Sequence, residues 1–78
     1  MEAADIRLKN VTFDVSSFIL TIQLFFNDTE QSLYFMADKV KVLKKISNFL
    51  KSNTIKFNVE FWDRENDRKK YSYKIGSD

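Results

Sequence analysis

The chain has 78 residues, of which 44% are hydrophobic, and it contains neither cysteine nor histidine. A chain of this length forms one domain, here 1–78 with an ordered core at about residues 6–75, and its hydrophobic content argues against disorder. Without cysteine and histidine, the sequence excludes disulfides, thiolate or imidazole zinc sites, and Ser-His or Cys-His nucleophile pairs.

The net charge of +2 is unevenly distributed along the chain. Residues 1–38 hold two basic and six acidic residues, whereas residues 39–78 hold eleven basic and five acidic ones. Such asymmetry is typical of proteins that bind nucleic acid or acidic partners, although a solvated lysine face on a helix produces the same pattern.

The chain begins with an acidic segment, 1–5, that has no apolar run resembling a signal peptide. Its apolar stretches are far shorter than the ~20 residues that cross a bilayer. The sequence therefore predicts a cytoplasmic protein without a membrane partner, located in the host cytoplasm if it is viral.

The first half of the chain contains three predicted strands. Residues 6–15 alternate in polarity, and a change of phase at Lys9-Asn10 predicts either a β-bulge or a late strand start there. Residues 18–26 alternate without interruption. The segment 27–30 is predicted to form a hairpin turn that leads into a short third strand around residues 33–35.

Residues 38–52 have the apolar spacing of an amphipathic helix, with Asp38 as its N-cap and Asn53 as a left-handed residue after its end. Val40 faces sideways in this pattern. The predicted buried arc consists of Val42, Leu43, Ile46, Phe49 and Leu50.

The last segment predicts a β-hairpin, with alternating residues at 55–62 and 70–75 around the acidic loop 63–67. This loop begins like a calcium-binding loop. However, Arg68 replaces the required glycine and Lys74 the final glutamate, so a solvated turn is expected. The element order predicts an α+β fold: a small single-layer antiparallel β-sheet, order β-β-β-α-β-β, with one amphipathic helix packed on one face.

The sheet face opposite the helix is the candidate binding surface. Its predicted partner-binding residues are Phe25, Tyr34, Lys56, Trp62, Lys70 and Lys74. Aromatic residues are enriched in binding hot spots, but cross-strand aromatic pairs also stabilise sheets that bind nothing. Both interpretations are open at this stage.

No catalytic residue, metal ligand or cofactor is indicated, and a chain with one glycine cannot form a glycine-rich phosphate loop. We expect a non-enzymatic protein-binding module whose partner is another protein, a nucleoprotein complex or a second copy of the chain. By analogy alone, a narrower hypothesis is a phage- or mobile-element-type inhibitor that blocks a host protein or a nucleoprotein complex such as a CRISPR effector.

The alternative is a non-sequence-specific, single-strand nucleic-acid-binding protein. In that case Trp62 and Tyr34 would stack on bases, and the lysines beside them would follow the phosphates.

Overall fold

The computed structural model describes residues 5–49 and 55–76. Its elements in chain order are β1 (Ile6–Asp14), β2 (Ile19–Phe26), α1 (Glu30–Phe49), β3 (Lys56–Asp63) and β4 (Arg68–Ile75). The strands form one four-stranded sheet in the order β1-β2-β3-β4, and α1 packs on one of its faces. The predicted α+β architecture, a single sheet with one helix on one face, is confirmed.

The predicted third strand is wrong. Leu33, Tyr34 and Phe35 belong to α1, which begins at Glu30 rather than at Asp38. An apolar run of three residues fits the period of a strand and that of a helix equally well, so periodicity could not assign it. The element order is therefore β-β-α-β-β.

The helix begins early because the segment before it is a cap rather than a hairpin turn. Thr29 is the N-cap: its hydroxyl accepts a hydrogen bond from the Ser32 amide at 3.2 Å, and its carbonyl accepts one from the Leu33 amide at 3.0 Å. Ser32 is fully buried, and its hydroxyl donates to the side-chain oxygen of Asn27. The bond to the Thr29 hydroxyl satisfies a backbone donor that a helix otherwise leaves unpaired at its start, and the bond to the Thr29 carbonyl is the first within the helix.

The buried face of α1 also differs from the predicted arc. Met36 and Val40 are 5% and 6% exposed, whereas Val42 and Ile46 are 42% and 43% exposed. The buried stripe of the helix runs through Ser32, Met36 and Val40, four residues apart, and Leu43 is the member of the predicted arc that packs against the core. The predicted positions 50–53 lie outside the described residues.

The predicted all-antiparallel sheet is wrong at its centre. β1 and β2 pair antiparallel, as do β3 and β4, but β2 and β3 run parallel. The 20 residues of α1 span about 30 Å at about 1.5 Å per residue, roughly the length of the eight-residue β2. The helix therefore returns the chain to the end of the sheet where β2 begins, and β3 starts there.

Both hairpins close through turns that contain no glycine. Asp14 Oδ1 accepts a hydrogen bond from the Ser16 amide, and Asp63 Oδ1 accepts one from the Glu65 amide, each at 3.0 Å. Aspartate side chains that bond the backbone two residues further on stabilise turns in this way. The acidic loop that superficially matched a calcium site is the second of these turns.

The hydrophobic core lies between α1 and the part of the sheet formed by β2, β3 and β4. Its buried side chains are Phe26, Met36, Val40, Val59, Phe61 and Ile75. The ring of Phe61 makes edge-to-face contacts with Phe26 and Tyr73, with centroids 5.9 and 6.2 Å apart. α1 approaches the sheet most closely at β4, so β1, at the opposite edge, contributes side chains that are at most half-buried.

Candidate binding surfaces

The strand register places four of the six predicted binding residues on the sheet face opposite α1, called here the open face. Phe25 and Trp62 are register partners on β2 and β3. Lys56 and Lys74 also point to this face, beside Ile19 and Asn58 respectively. Phe25 and Trp62 lie at one end of the parallel pair and the two lysines at the other, so the predicted residues form two groups.

The prediction that Tyr34 lies on the open face is wrong. Tyr34 is on α1, and 78% of its side chain is exposed. Because the predicted third strand is part of the helix, no sheet position brings Tyr34 next to Trp62.

Lys70 also fails to join the open face, because β4 contains a second bulge. The register changes between Phe61 and Trp62, so that Trp62 pairs with Lys69 and the ladder skips Lys70. The ammonium of Lys70 instead donates a hydrogen bond to Asp28 Oδ2 at 2.8 Å, next to the start of α1. This hydrogen bond raises the pKa of Lys70. Uninterrupted alternation predicted the wrong lysine, since Lys69 occupies the position on the open face.

Glu60 is the centre of a hydrogen-bond network on the open face. Its side chain is 12% exposed, and its Oε1 accepts from Gln23 Nε2 at 2.8 Å and from Trp62 Nε1 at 3.2 Å. Its Oε2 accepts from Asn58 Nδ2 at 3.2 Å and lies 3.7 Å from Lys69 Nζ. The Gln23 hydrogen bond, followed by those of Trp62 and Asn58 and the charge of Lys69, holds the pKa of Glu60 below its ordinary value. Such a carboxylate organises its neighbours and is poorly suited to act as a general acid at neutral pH.

Two cations lie against the aromatic pair of the open face. Lys9 Nζ is 4.4 Å from the Trp62 ring centroid and 5.7 Å from that of Phe25. The guanidinium carbon of Arg64 is 5.8 Å from the Phe25 centroid. Lys9 is the residue skipped where the β1 register shifts between Leu8 and Asn10, and β1 begins at Ile6, so of the two predicted alternatives the bulge is confirmed and the late strand start is wrong. The bulge brings the lysine over the rings, where a cation is attracted to their π electrons.

The other end of the open face carries a shallow groove of about 440 Å³. Lys56 and Lys74 line it together with Asp14, Ile19 and Asn58. A mixture of two ammonium groups, one carboxylate and an apolar side chain could bind a polar or anionic ligand, but it contains no arrangement of nucleophile and base.

Six of the exposed large apolar side chains belong to β1 and to one flank of α1, on the helix side of the sheet. The flank of α1 that lies toward β4 includes Ala37, Lys41 and Lys44, which border Tyr73. Helix geometry therefore turns the opposite flank toward β1. We call the surface formed by that flank and β1 the apolar groove; its exposed apolar side chains are Leu8, Val11, Phe13, Phe35, Val42 and Ile46, each between 39% and 63% exposed.

The sequence interpretation missed the apolar groove, although one signal for it was present. β1 and its following turn carry apolar residues that a single helix over the centre of the sheet would have to cover, among them Leu8, Val11, Phe13 and Phe18. One helix is about 10 Å wide and two strands span about the same distance, so one helix cannot cover four strands.

Neither a membrane span nor a metal cluster occurs in the part of the chain that the structure describes. Within residues 5–49 and 55–76, no helix is long and apolar enough to cross a membrane. In the same ranges, no group of three or more aspartate or glutamate side chains is placed to hold a metal ion.

Comparison with the models of known protein families, with curated proteins and with solved structures finds no match to this chain.

Proposed function

We propose that this chain is a non-enzymatic protein-binding module and that the apolar groove is its binding surface. The observation that carries the proposal is the exposure of Leu8, Val11 and Phe13, which are 63%, 47% and 44% exposed on the helix side of β1. These residues continue into an apolar helix flank, and contiguous exposed apolar surface of this kind marks interaction sites.

The dimensions of the sheet indicate what the groove accepts. Neighbouring strands lie about 4.8 Å apart, so a helix about 10 Å wide covers roughly two strands. α1 lies closest to β4, and the exposed helix-side residues of the sheet, Leu8, Val11 and Phe13, are on β1, so the room for a further element is over β1. The partner element that fits best is an amphipathic helix whose apolar face enters the groove, with anchors spaced three and four residues apart.

The open face supports a protein partner less well than the apolar groove. Its central polar groups, at Gln23, Asn58 and Glu60, already bond one another. The aromatic rings of Phe25 and Trp62 are half-buried and contact cations of the same chain. The narrower hypothesis of an inhibitor of a host protein or nucleoprotein complex is supported by chain size and composition, and the apolar groove would serve it.

The proposal is tested by selecting amphipathic helical peptides of about 20 residues, long enough to span the groove, from a displayed library against the purified protein. The selected peptides are then titrated against Val42→Lys and Ile46→Lys. Both positions are about half exposed, so a lysine is tolerated in the unbound fold. Lys45→Ala, on the outward side of the same helix, is the matched control.

We expect each groove variant to weaken the selected peptides tenfold or more, about 1.4 kcal/mol, because a lysine in the apolar contact must be desolvated. Lys45→Ala should bind as tightly as the wild type. Peptides that bind both groove variants with unchanged affinity would refute the assignment of this surface.

A second candidate function is non-specific binding of single-stranded nucleic acid by the open face. The observation that favours it is charge: Arg7, Lys9, Lys56, Lys69 and Lys74 are on this face, against the carboxylates of Asp14 and Glu60. Phosphate contacts of such a surface would make the affinity fall steeply with salt.

Titration with a single-stranded oligonucleotide at low and moderate salt, followed by Trp62 fluorescence, tests this candidate. Binding that quenches Trp62 and weakens with salt supports it, because a base must displace Lys9 to stack on the ring. Unchanged fluorescence and no binding at low salt contradict it. The groove variants Val42→Lys and Ile46→Lys should not affect this measurement.

A further inference from the structure

The two edges of the sheet differ in how they are protected from pairing with another strand. β4 begins with Arg68-Lys69-Lys70 and carries Lys74 near its end. Lys69 and Lys70 are paired with Glu60 and Asp28, so Arg68 and Lys74 are the charges that two antiparallel β4 strands would bring together, and charged edge residues are a usual protection against such pairing. β1, at the other edge, alternates apolar and polar side chains and carries only Arg7, Lys9 and Asp14 as charged residues.

The lysine that could protect β1 is directed away from its edge. Lys9 Nζ lies 4.4 Å from the Trp62 centroid, above β3, so the side chain reaches inward across β2. In the part of the chain that the structure describes, β1 pairs on one side only, with β2. The outer edge of β1 therefore offers its backbone groups for pairing without a charged side chain over its middle.

The pattern of β1 is self-complementary when it is paired antiparallel about Val11. Because Lys9 is an extra residue in the ladder, Leu8, Val11 and Phe13 share the helix side of the sheet, and Arg7 and Asp14 share the open face. If Lys9 is skipped in both copies, as it is in the pairing with β2, a two-fold axis at Val11 places Leu8 of one copy opposite Phe13 of the other. It also places Arg7 opposite Asp14 at both ends of the pair.

We infer that the chain forms a two-fold symmetric dimer through β1. Two copies joined in this way build an eight-stranded sheet, with apolar pairs on the helix side and two Arg7–Asp14 ion pairs on the open face. Pairing about Thr12 instead would place Asp14 opposite Asn10 and leave Arg7 beyond the pair. Charge complementarity thus favours the second copy as the occupant of the edge and the register about Val11, in which Arg7 exchanges its intrachain partner Asp5, 3.1 Å away, for Asp14 of the other copy.

The dimer adds to the proposed function without depending on it. The two apolar grooves lie on the same face of the joined sheet and become continuous along the two β1 strands. The residues that test the dimer, Arg7, Val11 and Asp14, are on β1. The residues that test the groove, Val42 and Ile46, are on α1, so either proposal can fail without the other.

The dimer is tested by sedimentation equilibrium of Arg7→Asp, Asp14→Arg and their equimolar mixture. We expect the wild-type protein to sediment at twice the 9.3 kDa mass of the chain. Each variant alone should sediment as a single chain, because both ion pairs become repulsive. The equimolar mixture should sediment at twice the mass of the chain. In the mixed dimer, both carboxylates of the Arg7→Asp chain face guanidinium groups of the Asp14→Arg chain.

A cross-linking measurement keeps the test independent of any folding defect in the charge variants. The chain has no cysteine, so Val11→Cys introduces the only thiol. Two copies paired about position 11 bring the two Cα atoms within about 5.5 Å, which suits a disulfide. Oxidation should therefore yield a covalent dimer from Val11→Cys and far less from Val15→Cys, whose side chain is more exposed but lies beyond β1.

Three results would overturn the inference. One is a wild-type protein that stays monomeric at millimolar concentration. Another is a dimer that persists in Arg7→Asp and Asp14→Arg alike. The third is equal cross-linking of Val11→Cys and Val15→Cys, which would indicate random collision rather than a fixed register.

Discussion

Lys9 and Trp62 are joined across the sheet, with the ammonium of Lys9 4.4 Å from the centroid of the indole ring. The lysine is on β1 and the tryptophan on β3, so the side chain of Lys9 spans β2. This contact closes the aromatic end of the open face. It also directs the charge of Lys9 away from the middle of the β1 edge, through which we infer that two copies of the chain pair.

We expect Lys9→Ala to increase the accessibility of Trp62 and to lower the free energy of unfolding by about 0.5–1 kcal/mol, the usual size of an exposed cation–π contact. Trp62 is the only tryptophan, so quenching of its fluorescence by acrylamide reports on this ring alone. Lys74→Ala, on the same face but distant from the ring, is the control and should leave the quenching constant unchanged. Equal quenching in Lys9→Ala and the wild type would contradict the contact.

We expect acid to weaken the fold partly through Glu60. Its folded pKa is held below the ordinary value of 4.5, chiefly by the Gln23 hydrogen bond. The ionised carboxylate therefore contributes stability that is fully present above pH 4.5 and is lost as the pH falls through the folded pKa. Urea unfolding of the wild type and of Glu60→Gln, followed from neutral to acidic pH, measures this contribution.

Glu60→Gln should be less stable at neutral pH. The NH₂ group of the glutamine would replace one of the two oxygens that accept hydrogen bonds from Gln23, Asn58 and Trp62. The difference from the wild type should shrink as the pH falls below 4.5. The pKa values of Asp14 and Asp63 are also lowered, mainly by side-chain hydrogen bonds from Ser16 and Asn66. Asp14 and Asp63 are present in both proteins, so their contributions cancel in the difference between the two free energies of unfolding. A difference that is independent of pH would exclude this role for Glu60.

We expect Thr29→Ala to destabilise the fold by about 1 kcal/mol, the usual cost of losing an N-cap side chain. Thr29→Ser retains the hydroxyl that accepts the hydrogen bond of the Ser32 amide and should cost much less. Chemical denaturation followed by far-UV circular dichroism measures both. If Asp38→Ala proved more damaging than Thr29→Ala, the helix would begin where the sequence pattern placed it.

We expect Met36→Ala to cost about 2–5 kcal/mol, because Met36 is 5% exposed in the core beneath α1. Val42→Ala, on the groove flank of the same helix, should change stability by less than about 0.5 kcal/mol, as exposed substitutions usually do. Comparison of the urea unfolding midpoints of Met36→Ala and Val42→Ala shows which side of α1 faces the sheet. A larger loss at Val42 than at Met36 would mean that the helix is rotated relative to this description.

The sequence by itself determined the fold class, the positions of the four strands of the sheet and the irregularity at Lys9, although it also predicted a strand at 33–35 that is helical. Strand alternation has a period of two residues, and the residue types carry that period directly, so β1, β2, β3 and β4 could be located within a few residues. The bulge was predictable because an extra residue in one strand shifts the phase of its alternating pattern, and the apolar residues on either side of Lys9 show that shift.

Only the tertiary structure decided where α1 begins, that β2 and β3 are parallel, and which side chains reach the open face. The run from Leu33 to Phe35 is too short to distinguish a strand from a helix, and its assignment depends on the buried cap at Thr29 and Ser32. Lys69 rather than Lys70 is on the open face because β4 contains a bulge. The apolar residues of β4 keep their alternation, so the sequence gives no sign of this bulge. The apolar groove exists because α1 lies toward β4, and the lateral position of a helix on a sheet is set by packing between distant elements, which local sequence patterns do not encode.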